Sequence, residues 1–216
     1  MAQASRRVLC PLIAAETGDR LSEVNRLHCR ADVAYCLGDA AGAWEDARKA
    51  LELAQKIGAA PAEGRAHQVL GMLFREQGNP AASHACYAEA YRLLRRPGRA
   101  EFTESLAGLA TAELALGQLE AAHAHAAEIL AHLDQGGHLL ADQKPFWTYL
   151  TCYRVLTAAG DPRAAEILNW AHTELQEWAA HAPAEATRCS FLENVPWNRE
   201  IVREWLRAHP GEEGEG

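Results

Sequence analysis

Ten histidines occur in this chain of 216 residues, and four of them, His123, His125, His132 and His138, crowd into one short stretch. His125, Glu128 and His132 fall at i, i+3 and i+7, which puts two imidazoles and a carboxylate on one helix stripe. Such a set can complete most of a zinc shell. The spacing lacks the tight His-Glu-x-x-His pattern of helical zinc sites, and the residues flank the apolar stripe Ala122, Ala126, Ile129 and Leu133. A solvated helix face is the simpler reading, so no metal is expected.

Nucleophilic chemistry fares no better. There is no Gly-x-Ser-x-Gly, no cysteine in a nucleophile context and no carboxylate pair in a setting that suggests glycosidase work. A phosphate-cradling Gly-x-x-x-x-Gly-Lys-Ser/Thr loop is also absent. The chain reads as non-catalytic, with no catalytic residue and no cofactor. Its six cysteines, Cys10, Cys29, Cys36, Cys86, Cys152 and Cys189, include no pair closer than seven residues, so no zinc-ribbon spacing exists. They read as small buried hydrophobes in a reducing, cytoplasmic setting, although Cys29 and Cys36 can share one helix face two turns apart.

Charge narrows the partners. Lys plus Arg total 21 against 29 Asp plus Glu, a net charge of −8 that repels phosphate backbones, so no direct nucleic-acid partner is expected. At 49% hydrophobic and 23% charged, the chain can bury a core, which excludes a disordered polymer and a disulfide-dense miniprotein. Arg6-Arg7 precede the apolar run Val8 to Ala15, but that run is short, contains Cys10 and Pro11 and meets Glu16, unlike a secretory leader. No stretch approaches a membrane-spanning length, so no membrane partner is expected.

The elements that position these side chains announce themselves by repetition. Gly38-Asp39-Ala40-Ala41, Gly78-Asn79-Pro80-Ala81, Gly117-Gln118-Leu119-Glu120 and Gly160-Asp161-Pro162-Arg163 recur at intervals of 40, 39 and 43 residues. A regular interval of this size marks stacked supersecondary units. Each step has a local cause: Gly closes one helix, Asp or Asn caps the next, and Pro enters its first turn without losing a hydrogen bond. Small residues stand seven positions before three of the glycines (Ala31, Gly71, Ala110; the fourth has Tyr153) and five positions after all four (Ala43, Ser83, Ala122, Ala165). Small residues at matching heights let paired helices approach closely.

The expected organisation is an N-terminal segment 1–20, four helix pairs at 21–57, 62–95, 100–134 and 144–181, a C-terminal cap at 183–208, and an acidic tail after it. Trp197, Ile201 and Trp205 give the cap an apolar stripe, as the end of a stack requires. Five of the six tryptophans lie at or after 147. They read as core of the last pair and cap, the rival being an exposed apolar edge that forms a homodimer through the Trp-rich C-terminal end.

The small–seven–Gly–five–small spacing, continued by Ala50 and Ala90, resembles the tetratricopeptide (TPR) signature, with Ile129 and His172 departing from it in the third and fourth units. The long interval, and the terminal run Ser190-Phe191-Leu192-Glu193-Asn194-Val195-Pro196-Trp197-Asn198-Arg199-Glu200, are similar to the looser helical repeats of large bacterial ATP-binding transcriptional regulators and multidomain cyclases. The resemblance implies an all-α, right-handed TPR-like solenoid of helical hairpins whose inner face binds a protein or peptide. It places Asn25, His28, Asp32, Tyr35, Arg65, Gln68, Met72, Arg75, Trp147, Leu150 and Arg154 on that partner-binding face. Arginines beside aromatic and amide groups suit a carboxylate or a backbone-rich peptide. The expected function is docking of a protein partner in a regulatory or signalling assembly; the alternative is a sensor that binds a small metabolite in the groove.

Overall fold

A computed structural model describes residues 19–95, 102–135 and 144–210. The described residues form ten α-helices and no strand: α1 (Arg20–Cys36), α2 (Ala40–Ile57), α3 (Ala60–Glu76), α4 (Pro80–Leu94), α5 (Thr103–Ala115), α6 (Leu119–Asp134), α7 (Pro145–Ala159), α8 (Arg163–Ala180), α9 (Glu185–Glu193) and α10 (Pro196–Ala208). The all-α, helical-hairpin class therefore holds. No helix among the described residues is long and apolar enough to cross a membrane. His138, Cys10, the run Val8–Ala15 and the acidic tail from 211 lie outside the described residues.

Turn chemistry builds the hairpins. At the end of α3, Gly78 donates to the Arg75 carbonyl at 2.9 Å and Asn79 to the Phe74 carbonyl at 3.0 Å, the two bonds of a Schellman closure. Gly78 has φ 68°, a left-handed value that a Cβ would strain. The Asn79 side chain then accepts from the Ala82 N–H at 3.1 Å and Pro80 opens α4. The same pair of closing bonds recurs at Gly38-Asp39, Gly117-Gln118 and Gly160-Asp161.

The chain divides after Ala112, inside α5, into two compact units. Four pairs read as one row give no sign of this division. In the first unit, α1 packs on α2 and on α3, α2 packs on α3, and α3 packs on α4. Its core is rich in alanine: Ala31, Ala43 and Ala47 meet Val69, Leu70, Met72 and Leu73, while Val24, Leu27, Ala50, Ala54, Ala62 and Ala66 form a second cluster. Tyr87 of α4 shows why small residues matter here. Its ring is fully buried, and a Cβ added at Gly71 or Gly108 would lie 2.8 or 2.3 Å from it. Ser83 also donates from Oγ to the Gly71 carbonyl at 2.8 Å, fixing α4 close against α3.

In the second unit, α6 packs on α7 and α7 on α8; α10 lies against both α7 and α8, and α9 against α8 and α10. Ile129, Leu133, Phe146, Leu156, Leu168, Leu175 and Ile201 are buried. The small-residue rule stops here, because Ala165 is exposed. Tyr153, which stands where the other pairs have a small residue, donates its hydroxyl to Glu204 of α10 at 3.2 Å. Trp205 is stacked between the rings of His172 and His209, with centroids 4.0 and 4.5 Å away, and donates Nε1–H to Asn169 at 3.0 Å. The cysteine expectation needs correction: only Cys152 is buried among those described, whereas Cys29 and Cys36 are exposed. Burial pushes the Cys86 thiol up to about 11 and the Cys152 thiol to about 12.

Candidate functional site: the seam between α1 and α3

Helices α1 and α3 open the first two hairpins and lie side by side, so residues one repeat apart meet across their seam. Arg65 donates from Nη2 to the Asn25 side-chain oxygen at 3.1 Å. Ten residues further along both helices, Arg75 Nη2 reaches the Tyr35 hydroxyl at 3.4 Å. Each pair spans a sequence separation of 40. At 1.5 Å rise per residue the two levels stand about 15 Å apart along the helices.

The two levels differ in charge balance. At the upper one, Arg75 also donates to the Glu76 carboxylate at 2.7 and 3.3 Å, and the Tyr35 hydroxyl donates to the same oxygen at 3.1 Å. Burial works against the Arg75 charge, but nearby Tyr87, Glu76 and Tyr35 outweigh it and raise its pKa. Burial likewise raises that of the Tyr35 phenol. At the lower level Arg65 has a neutral amide for a partner, and among the described residues it forms no ion pair. His28 and Asp32 approach to 3.4 Å on α1, one turn along from Asn25.

Four of the expected face residues are not on any surface. Gln68 is 6% exposed and donates Nε2–H to Ser105 of α5 at 3.0 Å, and Met72 belongs to the core cluster around Ala31. Trp147 and Leu150 are 5% and 2% exposed in the second unit, where α6, α8 and α10 pack around α7. Arg154 is exposed but bonded to Glu200 of α10, with Nε at 3.1 Å. The structure thus brings Asn25, His28, Asp32, Tyr35, Arg65 and Arg75 together on one seam of the first unit; Trp147, Leu150 and Arg154 belong to the second unit. Glu76 joins the seam although nothing in the repeat spacing marks it; its position beside Arg75 at the end of α3 was the available signal.

The histidine cluster is engaged otherwise. His125 Nδ1 lies 2.8 Å from the buried carboxylate of Glu113, and His123 Nε2 lies 3.1 Å from Asp161. Hydrogen bonds from Arg163 and from His123 hold the Asp161 carboxyl well below the usual carboxylate range. No group of three or more His, Cys, Asp or Glu is placed to hold a metal among the described residues. On the other side of α1, an open cleft of about 290 Å³ runs between α1 and α2, lined by Arg26, Arg30, Asp46, Lys49 and Lys56 among others. Its charges are paired, Arg30 with Asp46 through bonds of 2.7 and 2.8 Å and Lys56 with Glu52 at 2.6 Å.

The tetratricopeptide repeat family model matches residues 23–96, which takes in α1 to α4 and therefore the seam. No curated protein matches the chain. Over those residues the chain is similar to tetratricopeptide repeats, which generally mediate protein–protein interaction.

Proposed function

We propose that the α1–α3 seam docks an acidic segment of a protein partner, and that the chain serves as a non-catalytic interaction module in a regulatory or signalling assembly. Arg65 carries the docking reading. It is a half-buried cation fixed in orientation by the Asn25 amide, with no carboxylate paired to it among the described residues. A preorganised guanidinium of this kind forms paired bonds to a carboxylate with little further loss of side-chain freedom. The regulatory setting rests on the similarity of residues 190–200 to the closing segments of bacterial ATP-binding regulators and cyclases.

Capture from native lysate on three immobilised forms tests the docking face: the unaltered chain, Arg65→Ala and Arg154→Ala. The expected result is a protein retained by the unaltered chain and by Arg154→Ala and lost from Arg65→Ala. Equal retention by all three contradicts the reading. Trp170 and Trp178, 41% and 40% exposed on α8, favour self-association of the second unit as an additional contact. Light scattering then shows a mass rising with concentration toward twice 23.6 kDa, and a constant monomer mass contradicts it.

A further inference from the structure

The docking reading assigns a partner carboxylate to Arg65 but leaves Arg75 occupied by a carboxylate of the chain itself. We propose that Glu76 is a built-in competitor: it fills a second carboxylate site, formed by Arg75 and Tyr35, that an acidic partner segment takes over when it docks. This inference rests on the docking reading and extends it from one anionic contact to two.

Three features of Glu76 point this way. It is the last residue of α3, where the backbone carbonyls make the helix end negative and a carboxylate is disfavoured. Its side chain is 51% exposed, whereas that of Arg75 is 24% exposed, so the anion can swing into water and the cation cannot follow. Its carboxylate gathers two donors from Arg75 and one from Tyr35 across the α1–α3 seam. Those donors are an arginine fork and a phenol, the geometry that receives any carboxylate entering from outside. An incoming carboxylate that does not sit at a helix C-terminus satisfies the same donors without that penalty.

The spacing then describes the partner. The open site at Arg65 and the self-occupied site at Arg75 are ten residues apart on α3, about 15 Å by helical rise. An extended peptide advances about 3.3 Å per residue, so two acidic side chains some four or five positions apart meet both cations.

Fluorescence anisotropy with a labelled heptapeptide tests this, using two glutamates four positions apart and neutral residues elsewhere. Glu76→Gln is expected to bind it roughly two- to fivefold more tightly than the unaltered chain, the range of one partly screened ion pair. The gain disappears when Arg75→Gln is added. Melting temperatures of each variant confirm that the seam is folded. Unchanged or weaker binding by Glu76→Gln, with binding still lost in Arg65→Ala, overturns the competitor and leaves the docking reading standing. Absence of binding by both the unaltered chain and Glu76→Gln, or binding indifferent to Arg65→Ala, overturns both.

Discussion

Arg65 and Asn25 stand one repeat apart in sequence and 3.1 Å apart in space, joined by a bond from the guanidinium to the amide oxygen. The bond links the first helices of two successive hairpins at their accessible edge. Surface contacts of this type contribute little to folding. Arg65→Ala and Asn25→Ala are each expected to lower stability by less than about 1 kcal/mol, with a coupling energy of a few tenths in a double-mutant cycle followed by urea denaturation. Loss of partner binding in Arg65→Ala is therefore a loss of contact, not of fold.

Close packing gives the opposite expectation at Gly108. An alanine inside a helix normally gains up to about 1 kcal/mol over glycine. Here the new methyl would lie 2.3 Å from the ring of Tyr87, which is itself 1% exposed and has nowhere to move. Overpacking wins, and Gly108→Ala is expected to destabilise the first unit by about 1–3 kcal/mol in urea melts. A neutral or stabilising result would mean that the ring can shift.

His67 supplies a pH dependence. Burial lowers its pKa from 6.5, against the opposing pull of Glu89 and Glu63, and its Nδ1 has no hydrogen-bond partner among the described residues. A base whose folded pKa is depressed takes up its proton more readily when unfolded. Its stabilising contribution is present above pH 6.5 and is lost as pH falls through the lower, folded value. The melting temperature is expected to drop between pH 7 and pH 5, and His67→Gln to flatten that drop. An identical slope in the variant counts against this account.

At the other end of the chain, Trp205 ties α10 to α8 through Asn169 and the imidazole of His172, while His209 covers the other face of its ring. Trp205→Ala is expected to cost about 2–3 kcal/mol, less than a fully buried aromatic because the indole is only half-buried. Hydrogen exchange should quicken in α10. Unaltered exchange there would show that buried Ile201 and the bonds of Glu200 and Glu204 hold the helix without the indole.

The hairpins were legible because their signals are local. Gly78-Asn79-Pro80 closes one helix, caps the next and starts it, and each job depends only on neighbours in sequence. Ala31 and Ala43 at matching heights announced a close helix pair for the same reason. The candidate face was legible only in part, because position on a first helix does not reveal what covers it. Asn25, Arg65 and Arg75 remained at the seam, but Gln68 and Met72 face inward, and Trp147 and Leu150 are buried on a helix packed by three others. The failure of the small-residue rule at Ala165 and Tyr153 has the same origin. Tyr153 reaches Glu204, a partner 51 residues away that no spacing within a repeat encodes.

Hydroxyl-radical footprinting with and without a captured partner tests the docking face most directly. Cys29 lies one turn from Asn25, Cys36 one turn from Asp32, and Tyr35 lies between them; both thiols are exposed and the phenol is half-buried. All three should lose reactivity when the partner binds, while Trp170 and Trp178 keep theirs. Protection of the two tryptophans with full reactivity at Cys29, Tyr35 and Cys36 would place the partner on the second unit and contradict docking at the α1–α3 seam.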